Sequence, residues 1–172
     1  MKLKLNLLLL FGIGTTLFLN SCHNLVIGAG DIVEITAYPD NPISKIELTS
    51  DFTVYLTEDT FYQMKVQGYE NLVPRVVIEE DAGKLTIRTA QDYIFEENNI
   101  VIHITSPNFT EIKLTGSGSI QSTDSITTTI LEITNNGSGT ISLFGDADII
   151  NAYSAGSGLT RLCAMQADTV NA

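Results

Sequence analysis

The 172-residue chain has no tryptophan, two cysteines, two histidines, four prolines and only nine basic residues against 20 acidic ones. Each scarcity closes off a class of function. Two cysteines, Cys22 and Cys163, cannot build a disulfide framework. There is no Cys-x-x-Cys and no His-x-His, so no sequence signature of a transition-metal site. A net charge of −11 leaves no basic footprint for nucleic acid and disfavours lying flat on anionic lipid. One apolar run alone is long, from Leu7 to Leu19, and it is too short to span a bilayer permanently. No stretch holds a 3.6-residue apolar period for three turns, so helix is expected to be almost absent outside the signal peptide.

That run has a meaning of its own. It follows the basic start Met1-Lys2-Leu3-Lys4 and ends at Leu19-Asn20-Ser21-Cys22, which resembles a bacterial lipobox. The expectation is a lipoprotein signal peptide over 1–21, with cleavage before Cys22 and acylation of that residue. Several acyl chains on one residue anchor firmly. Residues 22–30 read as a short tether, and residues 31–172 as one domain. Once Lys2 and Lys4 are removed, seven basic and 20 acidic residues remain, a net −13. Cys163, with no partner left, is expected to pack as a small hydrophobe.

From Asp31 onward the apolar period is two. Ile46-Glu47-Leu48, Val54-Tyr55-Leu56, Leu85-Thr86-Ile87, Ile102-His103-Ile104 and Ile112-Lys113-Leu114 each alternate, and Gly, Pro, Asn and Asp punctuate them. These are short strands with one apolar face. The last third repeats itself. Gly116-Ser117-Gly118-Ser119-Ile120 returns as Gly137-Ser138-Gly139-Thr140-Ile141 and, more loosely, as Gly156-Ser157-Gly158-Leu159, in steps of 21 and 19 residues. Ala147-Asp148-Ile149-Ile150-Asn151-Ala152 matches Ala167-Asp168-Thr169-Val170-Asn171-Ala172 at a step of 20. A period near 20 without helix predicts a solenoid of stacked β coils. Gly116, Gly118, Gly137, Gly139, Gly156 and Gly158 then serve as structural corners, permitting positive φ and close approach of successive backbones. Ile120 and Ile141 should point inward. The alternative is a β-sandwich whose hairpins carry these turns, Asn136-Gly137 being a hairpin signal in its own right.

The ordered set of segments resembles the auto-transporter adhesin "head GIN domain" family common among Bacteroidota. It comprises Ser50-Asp51-Phe52-Thr53-Val54-Tyr55-Leu56, Val66 to Pro74 followed by Gly83-Lys84-Leu85-Thr86-Ile87, Ile102-His103-Ile104-Thr105-Ser106-Pro107, and the Gly-Ser-Gly repeats. The resemblance covers about residue 30 to the end. It implies an all-β, single-stranded right-handed parallel β-helix like that of the pectin lyases, no catalytic residues, a role in adhesion or surface assembly, and a route to homo-trimers through the end or side of the coil. Ser119, Thr140 and Leu159 stand where the family usually has Asp after Gly-Ser-Gly. That departure speaks against an Asp ladder at this corner.

Chemistry is sparse. The nucleophile-elbow spacing is missing and His103 falls on the outward side of its strand. Asp146, Asp148 and the run Glu79-Glu80-Asp81 read as turn chemistry more than as calcium ligands, so no metal and no cofactor is expected. Asp124, Asp146, Asp148 and Asp168 recur near one corner, and stacked acids admit a polysaccharide lyase or hydrolase as the second reading. Tyr55, Tyr62, Tyr69, Tyr93, Phe95 and Tyr153 include rings able to stack on sugars or anchor an interface. Asp124-Ser125-Ile126 and Asp168-Thr169-Val170 resemble the Bacteroidota O-glycan acceptor pattern, making Ser125 and Thr169 candidate acceptors. The expectation is a non-enzymatic envelope lipoprotein at the outer membrane, facing periplasm or medium. It would meet the membrane through its anchor and a glycan or protein ligand through repeated polar coil faces.

Overall fold

The computed structural model describes residues 24–172. The signal segment 1–21 and the acylation expected at Cys22 lie outside the described residues. The first eight strands are β1 (Asn24–Ile27), β2 (Ile32–Ala37), β3 (Lys45–Leu48), β4 (Thr53–Glu58), β5 (Gln63–Tyr69), β6 (Val76–Asp81), β7 (Lys84–Thr89) and β8 (Tyr93–Glu96). Eight more follow: β9 (Val101–Ser106), β10 (Glu111–Leu114), β11 (Ser119–Ser122), β12 (Ile126–Asn135), β13 (Thr140–Ser142), β14 (Gly145–Ser154), β15 (Leu159–Arg161) and β16 (Met165–Asn171). A 3-10 turn at Val73–Arg75 is the one helical element among the described residues.

The strands form two mostly parallel seven-stranded sheets. One runs β16-β14-β12-β10-β3-β7-β6, the other β15-β13-β11-β4-β9-β5-β2, and β1 pairs with β8 in a separate two-stranded sheet. From β10 onward consecutive strands fall alternately in the two large sheets, and from β12 onward each pairs parallel with the strand two places earlier. The sequence repeat becomes register: Ile112 lies beside Ile133, Ile120 beside Ile141, and Ile149 beside Thr169. The hairpins that Asn136-Gly137 would have signalled do not form there, because Asn135 pairs parallel with Ser154.

Alternation builds the core. The inward residues stack in columns, Ile102–Val54–Ile120–Ile141 on one sheet and Leu85–Ile46–Ile112–Ile133 on the other. All eight are at most 1 % exposed. Each such side chain contributes roughly 1.5–3 kcal/mol on burial, so the columns, with Phe52 and Phe109 between the sheets, dominate stability. Two buried hydroxyls serve backbone donors at the strand ends. Ile43 donates its N–H to Ser106 Oγ at 2.9 Å, and Phe144 donates its own to Ser122 Oγ at 3.0 Å.

The N-terminal half departs from uniform parallel pairing. β2 pairs antiparallel with β5, β5 with β9, and β6 with β7. The β6–β7 hairpin turns at Ala82 and Gly83, both at positive φ, 48° and 79°. That is the geometry a two-residue hairpin favours and the place where glycine belongs. Asn24–Ile27 lies in the segment read as a short tether and forms β1, with Val26 packed against the core. Cys163 is exposed, contrary to expectation. It sits in the turn between β15 and β16, next to Ala164 at φ 57°, where nothing packs over it.

Candidate functional site

In-register parallel strands place like positions one above another at about 4.8 Å, so the outward side chains also form columns. Along the sheet that contains β10 one column reads Lys84, Lys45, Glu111, Glu132, Asn151, Asn171. Lys45 Nζ lies 3.5 Å from Glu111. Asn151 Nδ2 donates to Glu132 at 2.6 Å, and Asn171 Nδ2 donates to Asn151 Oδ1 at 2.7 Å. The neighbouring column reads Thr86, Glu47, Lys113, Thr134, Tyr153. Glu47 is its hub, taking Lys113 Nζ at 2.7 Å and Lys84 Nζ at 2.5 Å. The hydrogen bonds from Lys113 and then Lys84 hold the Glu47 carboxyl below its ordinary pKa, and the bond to Glu47 raises that of Lys84.

The second sheet carries Thr36, Lys65, His103, Tyr55, Gln121, Ser142 and Arg161 in one outward column. The rings of Tyr55 and His103 stack, with centroids 5.1 Å apart and planes at 21°. Two open grooves cut the surface. One of about 580 Å³ runs between Lys45, Glu111 and Glu132 and the threonines Thr127, Thr128 and Thr129. The other, about 690 Å³, is bordered by Asp51, Arg88, Asp92, Tyr93 and Ile94.

The residues singled out in the sequence fall as follows. The six corner glycines stack. A Cβ on Gly137 would overlap the carbonyl oxygen of Gly116, and one on Gly139 that of Gly118. On Gly156 and Gly158 it would come within 2.6 and 2.7 Å of the carbonyl oxygens of Gly137 and Gly139. Of the six, Gly156 alone has positive φ, 111°. Close approach, and not left-handed backbone, is therefore what the other five corners require. The series extends to a corner that the repeat search missed. Gly116 and Gly118 lie against the carbonyls of Ser50 and Phe52, and Ser119 pairs with Thr53. Ser50-Asp51-Phe52 carries no glycine, so no sequence signal marked it.

Ser125 and Thr169 are both exposed. Asp146, Asp148 and Asp168 border a shallow opening of about 310 Å³ with Gln166, while Asp124 is not part of its lining. Among the described residues no three His, Cys, Asp or Glu side chains are grouped to hold a metal ion. Tyr153 is exposed and Phe95 buried, and Tyr38, which the sequence reading passed over, is the most exposed large ring at 72 %.

Two mostly parallel sheets around an apolar interior, with laddered polar exteriors, define the class: an all-β protein with a repeated strand pattern. The residue match places it further. The chain belongs to the family described as "Putative auto-transporter adhesin, head GIN domain", whose profile matches residues 42–172. Solved structures share the fold. A Bacteroides fragilis protein described as a putative adhesin superposes with a TM-score of 0.73 at 20 % identity, over 84 % of this chain and 77 % of that one. A Parabacteroides merdae protein of the same description gives 0.60 at 16 % identity, over 85 % and 78 %. No curated protein matches the sequence.

Proposed function

We propose that the chain is a non-enzymatic, lipid-anchored adhesin or surface scaffold, wound as a single-stranded right-handed β-helix, that binds glycan or protein along its outer columns. The alternation of successive strands between two sheets with a constant register supports the winding. The observation that carries the binding role is the pair of uninterrupted outward columns, six residues on one sheet and seven on the other. Repeated weak contacts at fixed spacing add through effective concentration, which suits a ligand that is itself repetitive. The stacked Tyr55–His103 pair offers an apolar platform of the kind sugars rest on. Cys22 supplies the anchor, with the outer membrane as residence. Ser125 and Thr169 stand ready as O-glycan acceptors, and association into homo-trimers belongs to the same reading.

The test combines display with binding. Protease shaving of intact cells should remove the domain if it faces the medium. Purified protein should retain bacterial or host glycans, or a protein receptor, and Tyr55→Ala with Lys65→Ala should cut that retention at least tenfold. Turnover of uronic polymers that is lost in Asp148→Asn and Asp168→Asn would sink the non-enzymatic reading in favour of the polysaccharide-active one. Intact mass of the native protein reads acylation of Cys22 and hexose on Ser125 or Thr169 together.

A further inference from the structure

The small β1–β8 sheet has one face packed on the core and one bare face that is largely apolar. Its parallel register sets Asn24 beside Tyr93, Leu25 beside Ile94, Val26 beside Phe95 and Ile27 beside Glu96. Alternation sends Asn24, Val26, Tyr93 and Phe95 to one side and Leu25, Ile27, Ile94 and Glu96 to the other. The first side is covered. Phe95 is buried, its ring stacks on Phe52 at 5.8 Å, and Val26 and Tyr93 pack against the core. On the second side Leu25, Ile27 and Ile94 are 61 %, 54 % and 49 % exposed. A solvated sheet face ordinarily carries polar side chains, as both large sheets here do.

Position names the occupant. Asn24 follows Cys22 by two residues, and an extended chain advances at most about 3.6 Å per residue. An acylated Cys22 therefore keeps Asn24 within about 7 Å, and Leu25 within about 11 Å, of the residue whose acyl chains lie in the bilayer. We infer that the Leu25, Ile27 and Ile94 face seats in the interface of the membrane that holds the anchor. The inference rests on the lipid-anchor reading of Cys22. Glu96 stands beside Ile27 at the end of this face and Asp92 and Glu97 flank β8 in sequence, so it suits zwitterionic or uncharged headgroups and is repelled by anionic ones. A second copy of the chain is a poorer occupant. Three side chains fall well short of the roughly 800 Å² per partner that a stable protein interface buries. Seating gives the domain a second point of contact beside its flexible acyl attachment. It thereby fixes the tilt of the coil and which column faces outward.

The test uses the full lipidated chain in phosphatidylcholine–phosphatidylethanolamine vesicles. Cys163→Ser removes the exposed thiol, and Ile94→Cys or, as control, Tyr153→Cys carries an environment-sensitive fluorophore. The label at 94 should lose at least half its emission to doxyl-labelled lipid and resist aqueous iodide. The label at 153 should do the reverse. Leu25→Gln with Ile27→Gln should restore iodide access at 94 while the protein stays on the vesicles. If 94 is as open to iodide as 153 on a chain whose mass shows acylated Cys22, the seating is overturned and the anchor stands. If quenching by lipid and by iodide both fail, a protein covers the face and the seating is overturned as well. An unacylated Cys22 overturns the anchor and the seating together.

Discussion

Gly137→Ala separates two accounts of the repeat corners by the sign of its effect. The backbone at Gly137 is not left-handed, so alanine could adopt its φ without strain. If conformational freedom were all that mattered, the substitution would stabilise by roughly 0.4–1 kcal/mol through the unfolded chain. The new methyl, however, would overlap the carbonyl oxygen of Gly116 and come within 2.9 Å of that of Thr115. The overlapped atoms are backbone, held in place by the hydrogen bonds Ser138 N–H to Gly116 O at 3.2 Å and Thr140 N–H to Gly118 O at 3.0 Å. No rotamer change relieves them, and one coil must rise off the other. Overpacking of this kind costs roughly 1–3 kcal/mol. The net expectation is a loss of about 1–2 kcal/mol after the chain-entropy gain is subtracted.

Urea unfolding followed by far-ultraviolet circular dichroism reads this directly, and the thermal midpoint should fall by about 2–8 °C at the roughly 2–4 °C per kcal/mol of a domain this size. Ser138→Ala, on an exposed neighbour, should stay within about 0.5 kcal/mol of wild type. Because Gly156 lies against Gly137 O, the double variant Gly137→Ala with Gly156→Ala should depart from additivity. A Gly137→Ala protein as stable as wild type, or more so, refutes the stacking argument outright.

Glu47→Gln should destabilise by about 1–2 kcal/mol at pH 7, since it removes the charge from two hydrogen bonds. The hydrogen bonds from Lys113 and Lys84 hold the Glu47 carboxyl below its ordinary pKa in the folded protein. Its contribution is thus full above the unfolded carboxylate pKa and is lost as pH falls through the lowered folded one, so wild type and variant should converge in acid denaturation once the pH is below that folded pKa. Asn135→Ala should cost about 1–3 kcal/mol, because buried Asn135 Nδ2 donates to Gly139 O at 3.2 Å and Leu159 O at 3.4 Å. Hydrogen exchange should show the Leu159 amide opening first. Cys22→Ala should move the protein from the membrane to the soluble fraction, and its retention in the membrane would refute the anchor.

Period-two alternation told where strands lie, because burying one face of a sheet demands it. Ile46, Val54, Leu85, Ile102 and Ile112 were all legible in this way. Parallel pairing in the last third was legible for a different reason. A glycine pair recurring at 21 and 19 residues, with a second motif at 20, fixes which residues can superpose. The N-terminal half has no such repeat, and alternation alone does not name a partner. Hence the antiparallel β2–β5–β9 ladder and the β6–β7 hairpin could not be read. β1 escaped notice because three apolar residues, Leu25-Val26-Ile27, show no alternation. Leu25 and Ile27 lie on one face and Val26 on the other, so this strand is apolar on both sides, which sets it apart. The outward columns needed register as well as alternation: Lys45 and Glu111 are 66 positions apart in sequence and adjacent in space.

The inner columns explain how stability is distributed along such a stack. On one sheet the inward series runs Ile87, Leu48, Leu114, Asn135, Ser154. On the other it runs Ile102, Val54, Ile120, Ile141, Thr160. Apolar side chains therefore give way to polar ones toward β15 and β16, where Asn135 bonds to Thr160 and Ser154 is exposed. In a stack where each coil touches its neighbours alone, local stability follows local composition. The coils around β3, β4 and β10 should hold to the global unfolding free energy, while those around β15 should open well below it. Asn135 lies at the boundary and ties the β15 backbone to the apolar coils through its amide. The outward columns run across this boundary without a break, from Lys84 to Asn171 and from Thr36 to Arg161. A ligand gripping a whole column would thus stabilise the looser coils more than the firm ones, and its binding should appear as slowed exchange at Leu159 and Arg161 before any change at Val54.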